Sequence, residues 1–408
     1  MSATGHRRMR RSRALDLLNF FIADVQTGFG PFLSVYLTTQ KWTQGEIGIA
    51  LSLATVTSLI LQVPAGALVD EVRGKRMLAA CGLVCIAAAA LLLVNWPLLI
   101  TVMLAQILRA AGSSVLSPAI AAISLAVVGH AHLGERFGRN ARFASVGSAF
   151  AALVMGATGN YRSTATIFWL TAALCVPALA TLPFMRMRRR YLRRRREDNA
   201  GIDWPGLRRL FTDHRLLIFA ACAVMFHLSN AAMLPVAAAE TTRRMSSSAD
   251  IVIAACIFVP QAVVALISPW VGRMAETNGR RPMLLLGWAA LPLCGFLMAA
   301  LPGKILLVVA QSVSGVSAAV FGVMLPLIAD DLTHQTGHFT LCLGVLGVAV
   351  SVGAILSTTL AGAIADAAGP GIAIGCLAVA GLAGTILVAA AMPETAPYLE
   401  EEEDEEEP

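Results

Sequence analysis

The stretch Gly66-Ala-Leu-Val-Asp70-Glu71-Val72-Arg73-Gly74-Lys75-Arg76 is followed, after Met77 and Leu78, by Ala79 through Val94, a run without a single charged side chain. A helix needs roughly 20 apolar residues to cross the hydrocarbon core of a bilayer. A compact, charge-dense turn feeding such a run is the pattern of a chain that leaves a membrane and re-enters it. Working outward, the same alternation fills the sequence: Ile251–Val271 is also free of charge, and short polar connections separate about a dozen apolar segments. The spans read as 14–37, 46–68, 77–95, 98–128, 140–160, 164–185, 215–239, 250–271, 282–301, 304–329, 341–365 and 371–392. The composition agrees. Of 408 residues, 57% are hydrophobic and only 14% charged, against about 25% charged in soluble domains, and the mean hydropathy is +0.71. Hydrocarbon cannot satisfy open backbone groups, so the spans are helices. The short alternating segments of a membrane β-barrel are absent from the sequence. The expected fold is an all-α membrane protein with twelve transmembrane helices.

All eight cysteines, Cys81, Cys85, Cys175, Cys222, Cys256, Cys294, Cys342 and Cys376, lie inside apolar spans and none forms a Cys-x-x-Cys pair. They read as small hydrophobes rather than a disulfide framework or a zinc site. The first apolar segment is too long for a cleavable leader and reads as helix 1.

Basic residues set the orientation, because loops rich in Lys and Arg stay in the cytoplasm. With a cytoplasmic N-terminus, that face receives the arm holding Arg7, Arg8, Arg10, Arg11 and Arg13. It also receives the loops holding Arg73, Lys75 and Arg76, then Arg136, Arg139 and Arg142, then Arg273, Arg280 and Arg281, and the arginine-rich middle segment 186–215. The opposite face receives only Lys41, Arg162, Arg243, Arg244 and Lys304. Both termini are therefore expected inside the cell. The middle arginines read as a linker beside anionic headgroups, not as a nucleic-acid patch. The acidic run 400–407 reads as a solvated tail.

The chain repeats itself. The turn after helix 8, Gly272-Arg-Met-Ala-Glu276-Thr-Asn-Gly279-Arg280-Arg281, places an acid four residues after a Gly and then a Gly with paired basic residues, as the turn after helix 2 does. Ala105-Gln106 in helix 4 matches Ala310-Gln311 in helix 10, and Gly138-Arg139, placed before helix 5, resembles Gly337-His338 before helix 11. Two pseudo-symmetric six-helix bundles follow: a basic arm 1–13, an N-terminal bundle 14–185, a basic linker 186–214, a C-terminal bundle 215–392 and an acidic tail 393–408. Parallel repeats of this kind suit a transporter whose halves rock about a site at mid-membrane.

The repeated Gly-x-x-x-Asp/Glu…Gly-Arg/Lys-Arg turn resembles the signature of the major facilitator superfamily. Arg109-Ala-Ala-Gly112 in helix 4 is similar to that family's second motif, and Pro393-Glu394-Thr395 after helix 12 also resembles the family. The first turn carries one extra residue before Gly74, and helix 5 lacks the Gly-Pro pair of drug–proton antiporters. The resemblance implies that Asp70 faces the start of helix 11 and Glu276 the start of helix 5, where positive helix-dipole ends lie. Gly66, Asp70, Arg73, Lys75, Arg76 and Gly272, Glu276, Gly279, Arg280, Arg281 would then form conformational latches on the cytoplasmic side. A plain turn with snorkelling basic residues is the alternative for either copy.

Ionisable groups at membrane depth cost about 3 kcal/mol on insertion scales and point to function. Asp24 lies near the centre of helix 1 and Arg109 about as deep in helix 4. The two are expected to pair and to couple transport to protons, since protonating Asp24 would release Arg109; a permanent structural ion pair is the other reading. His227 and Asn230 share one face of helix 7, and Asn230 stands at the same spacing from Asp24 that separates Glu276 from Asp70. With Gln26, Gln106 and Gln311 they make the candidate substrate cavity, although each also suits an interhelical hydrogen bond. Asp330 and Asp331 close helix 10, where a negative charge opposes the helix dipole, and pairing with cytoplasmic arginines is expected.

The expected function is secondary active transport of a small organic solute by alternating access, proton-coupled and outward, in a bacterial cytoplasmic membrane. The alternatives are proton-coupled uptake, or metal-ion export with Asp24 and His227 as ligands. The expected partners are the solute, protons and lipid, with no nucleic acid, no cofactor and no resident metal, and the expected state is a monomer. The loops carry no Ser/His/Asp set, paired carboxylates or metal-spaced cluster, so an enzyme is not expected.

Overall fold

The computed structural model describes residues 13–23, 25, 33, 36–37, 40–42, 44–161, 165–185, 212–237, 249–300, 304–334 and 338–396. Among them there is no strand. Residues 13–23 form α1. Eleven longer helices follow: α2 (Gln44–Glu71), α3 (Lys75–Asn95), α4 (Leu99–Val128), α5 (Leu133–Tyr161), α6 (Ala165–Thr181), α7 (His214–Asn230), α8 (Ala249–Thr277), α9 (Arg280–Ala300), α10 (Lys304–Thr333), α11 (Phe339–Ala368) and α12 (Pro370–Ala391). Ten of the described helices are long and apolar enough to cross a membrane.

The helix ends follow ordinary backbone chemistry. Gly129, at φ 80°, ends α4. Gly369, at φ 97°, ends α11, and Pro370 opens α12 where its missing N–H costs nothing. Asp213 caps α7 by accepting the Arg215 N–H at 2.8 Å.

Several helix boundaries depart from the apolar spans. The helix α5 starts at Leu133, so Gly138 and Arg139 lie within it rather than before it. Likewise α8 runs on to Thr277 and α10 to Thr333. Hydropathy stops at the first charges, whereas backbone hydrogen bonding continues into the headgroup region. Conversely, α7 stops at Asn230, with a turn at 231–232 and a helical stretch at 233–237. Pro235 has no N–H to give the carbonyl one turn back, and the Ala232 N–H is taken by the Ser357 hydroxyl at 3.0 Å.

The chain divides into two compact units. The first holds residues 1–133 and 143–202 with 338–344, the opening of α11; the second holds 203–337 and 345–408 with 134–142, the opening of α5. In the first unit α4 packs on α3 and α2, and α3 on α6. The helices α3 and α4 come close where Gly82 and Gly112 face each other's carbonyl oxygens. Tyr36 donates to the Leu93 carbonyl at 2.9 Å and meets Phe168 edge-on. In the second unit α10 packs on α9 and α8, and α9 on α12. The same pairings thus recur six helices later. Trp288, fully buried, donates to the Cys222 carbonyl at 3.1 Å, and Ser229 to the Leu377 carbonyl at 2.8 Å. All eight cysteines are free.

Candidate functional site

The turn between α2 and α3 folds around one acid. Asp70, 7% exposed, accepts the Thr340 N–H at 3.2 Å and the Leu341 N–H at 2.8 Å, both in the first turn of α11. The Thr340 hydroxyl returns a bond to the Gly66 carbonyl at 2.8 Å. This is an N-cap built from a distant carboxylate: it satisfies orphan donors and sits at the positive end of a helix dipole. A Cβ on Gly66 would lie on the Thr340 carbonyl oxygen, so only glycine lets the two backbones meet. Lys75 is 2% exposed and sends its ammonium to the Val69 carbonyl at the end of α2, whereas Arg73 and Arg76 are exposed.

The turn between α8 and α9 repeats the plan with different strengths. Glu276, half-buried, accepts the Glu135 N–H at 3.0 Å in the first turn of α5. A Cβ on Gly272 would lie on the Gly134 carbonyl oxygen. Arg142 on α5 donates to the Ala265 carbonyl of α8 at 2.7 Å. Where Lys75 reaches back to Val69, Arg280 reaches back to the Ala275 carbonyl. Its other nitrogens hold Asp331, at 2.9 and 3.1 Å. Glu394 accepts the N–H groups of Arg280 at 2.7 Å and Arg281 at 3.1 Å, capping α9, and the Thr395 hydroxyl reaches Asp331 at 3.2 Å. Gly279 makes this turn at φ 87°, a conformation that L side chains rarely adopt.

At membrane depth, Asp24 and Gln26 lie outside the described residues. Arg109 is half-buried on α4. One turn earlier, Gln106 is fully buried, donating to the Ala50 carbonyl at 3.3 Å while its Oε1 has no hydrogen-bond partner. In the second unit, His227 and Asn230 are half-buried at the end of α7, and Gln311 on α10 is 3% exposed, its amide reaching the Met298 sulfur at 3.7 Å. Around His227 the rings of Phe226, Trp288 and Phe321 gather, with Phe226 stacked on Phe321 at 4.4 Å and His227 meeting Phe321 edge-on at 4.8 Å.

The expected pairing of Asp331 with an arginine is met by Arg280. Three contributors escape the sequence reading: Thr340, Glu394 as a cap, and Phe321. Nothing in their local sequence distinguishes them, and only tertiary placement marks them.

The comparisons with known proteins agree with this plan. The model of the Major Facilitator Superfamily matches residues 15–264 and 230–408. The chain is 37% identical over 392 residues, 95% of its length and 94% of theirs, to uncharacterized MFS-type transporters of two Mycobacterium tuberculosis strains, CDC 1551 / Oshkosh and H37Rv. Its fold matches the crystal structure of the transporter FucP in the outward conformation with a TM-score of 0.74, over 94% of this chain and 99% of that one at 14% identity. It matches the nucleoside transporter NupG with a TM-score of 0.66, over 94% of this chain and all of that one, again at 14% identity. The chain belongs to the major facilitator superfamily: it is a multi-pass membrane protein of twelve helices, a secondary transporter that works by alternating access and not an enzyme.

Proposed function

We propose that the protein moves a small organic solute out of a bacterial cell against protons, as a monomer in the cytoplasmic membrane with both termini inside. The observation that carries this reading is Arg109, a cation well inside the membrane-spanning helix α4. A guanidinium at that depth is retained at a cost of about 3 kcal/mol, and Asp24 on helix 1 is the acid proposed to answer it. Protonation of Asp24 weakens the pairing and frees Arg109 for the solute or for the opposite conformation. One proton crossing 100 mV contributes about 2.3 kcal/mol, enough for a solute gradient of roughly fiftyfold.

Gln26 and Gln106 in the first half, and His227, Asn230 and Gln311 in the second, supply the polar groups proposed for the cargo. The turns that carry Asp70 and Glu276 act as the cytoplasmic latches. Asp70 with Gly66, Lys75 and the flanking Arg73 and Arg76 governs one; Glu276 with Gly272, Gly279, Arg280 and Arg281 governs the other. Opening toward the cytoplasm requires the carboxylates to release the helix N-termini they cap.

The test uses proteoliposomes under an imposed pH gradient, with solutes first found by a thermal-shift screen at two pH values. Wild-type protein moves the solute and acidifies or alkalinises the lumen in step. Asp24→Asn keeps its melting temperature and loses the pH-driven flux. Proton movement that persists unchanged in Asp24→Asn refutes the assignment, and the sign of the pH change decides between export and uptake.

A further inference from the structure

The ring cluster of the second unit is graded from sealed to open. Phe219 and Trp288 are fully buried and Phe226 is 2% exposed. Centroid distances of 6.4 Å (Phe219 to Trp288) and 4.8 Å (Trp288 to Phe226) pack these three as core. The next rings, Phe321 on α10 and His227 on α7, are only half-buried. Phe226 covers one face of Phe321 at 4.4 Å with the planes 24° apart, and His227 stands at 67° to it. Phe321 is therefore clamped in orientation while part of its ring stays uncovered. Beside it, Gly322 is exposed, with nothing within 4 Å of where a Cβ would be, and Ala318 one turn earlier is exposed as well. Core packing accounts for the three sealed rings. It does not account for a rigidly backed ring next to a strip of α10 kept clear by the two smallest side chains.

We propose that Phe321 and His227 form a shelf on which a planar aromatic ring of the cargo stacks, with Gly322 keeping the adjoining space open. The inference rests on the transport reading above and adds the chemical class of the solute. Aromatic rings prefer offset-stacked or edge-to-face partners at 4.5–7 Å between centroids, and a ring already held by Phe226 and His227 gives such a partner without losing side-chain freedom. Small-molecule sites pair an apolar wall with a few polar groups. Here the imidazole of His227 and the Asn230 amide one turn on supply them. The cargo would be a flat ring bearing at least one hydrogen-bonding substituent.

The experiment compares size-matched pairs that differ only in aromaticity: benzamide with cyclohexanecarboxamide, benzoate with cyclohexanecarboxylate, and benzylamine with cyclohexylmethylamine. Binding to the purified full-length protein is read by titration, and exchange by the same probes in proteoliposomes. In one charge class at least, the aromatic member binds about three- to tenfold more tightly. Phe321→Leu removes that preference and Phe321→Tyr restores it. Gly322→Leu, whose side chain enters open space and so leaves the melting temperature in place, blocks the aromatic probe, and Gly362→Leu, at an equally open position on α11, does not. Equal binding of both members, a preference that survives Phe321→Leu, normal binding by Gly322→Leu, or no binding of any aromatic probe each overturns the shelf. If saturated and aromatic probes exchange alike, the shelf falls and transport stands. If an aromatic probe binds at Phe321 and never crosses, the shelf stands and the transport reading falls.

Discussion

The guanidinium of Arg280 meets the carboxylate of Asp331 through two nitrogens, at 2.9 and 3.1 Å, with side chains 5% and 4% exposed. This fork-on-fork geometry is what a lysine cannot reproduce. Removing one partner strands the other as a buried charge, which costs about 3–5 kcal/mol, whereas replacing both with apolar groups of similar volume is often neutral. Asp331→Ala is therefore expected to lower the unfolding midpoint in detergent sharply, Arg280→Lys to lower it less, and the double variant Arg280→Met, Asp331→Leu to recover most of the loss. A double variant no better than Asp331→Ala would mean that the pair itself, and not the stranded charge, is what the second unit needs.

The two repeated turns are unequal. Asp70 is buried, accepts two backbone N–H groups and is backed by the Thr340 hydroxyl on Gly66, while Glu276 is only half-buried, accepts the Glu135 N–H at 3.0 Å with the Gly134 N–H beside it, and lies next to the like charge of Glu135 itself. Losing a cap costs about 0.5–2 kcal/mol, and each ~1.4 kcal/mol is tenfold in an equilibrium. Asp70→Ala should speed hydrogen exchange in the first turn of α11 by about tenfold, and Glu276→Ala should speed it in the first turn of α5 by less. Hydrogen-exchange mass spectrometry on peptides covering 338–344 and 133–142 reads both, and an equal or reversed ranking contradicts the asymmetry.

What the sequence made legible is what a bilayer imposes. Apolar length located the helices because hydrocarbon allows nothing else, and the doubled Gly-x-x-x-acid turn marked the repeat because the turn is local. Helix ends were less legible. The helix α5 begins well before its apolar span because Glu135, Arg136 and Arg139 form helix as readily as the apolar residues after them, and Arg136 even bonds Asn140 one turn on at 2.8 Å. The α7 break at Asn230 needed Pro235 and Ser357 together, and the second of these is remote in sequence. The polar candidates at depth could be named because a charge or amide in an apolar run stands out. Phe321 could not, because a phenylalanine in a membrane helix looks like every other apolar residue until its neighbours are known.

Close backbone contacts turn glycine substitutions into a map of the fold. At Gly66 and Gly272 the added Cβ would lie on a carbonyl oxygen of another helix, and neither backbone can give way without moving its helix. At Gly322 nothing stands within 4 Å. Overpacking costs about 1–3 kcal/mol, whereas Gly→Ala in an open helical position gains about 1 kcal/mol in helix propensity. Gly66→Ala and Gly272→Ala should lower the thermal midpoint, and Gly322→Ala should raise or preserve it. A stable Gly66→Ala protein would show that the Asp70 turn holds α11 less tightly than its hydrogen bonds imply.

Glu394, just before the acidic run, gathers four backbone N–H groups. Its Oε1 collects the N–H groups of Arg280, Thr395 and Ala396 at 2.7, 3.0 and 3.1 Å, and its Oε2 takes that of Arg281 at 3.1 Å. One carboxylate thus caps α9 and closes the turn that follows α12. Arg281 fastens the same corner from the other side, donating to the Ala389 carbonyl at 2.6 Å in the last turn of α12. Hydrogen bonds to a charged group contribute about 1.5–3 kcal/mol each when the partner would otherwise go unsatisfied, and the screening of a half-buried site brings the expected loss toward the lower figure. Glu394→Ala should therefore lower the unfolding midpoint and loosen amide exchange at 280–284, with Glu394→Gln intermediate because its amide oxygen can still accept. Truncation after Ala396 removes every acid of the run and none of these bonds, so the midpoint should stay where it is. A truncated protein as unstable as Glu394→Ala would place the stabilising contact in the acidic run instead of in this cap.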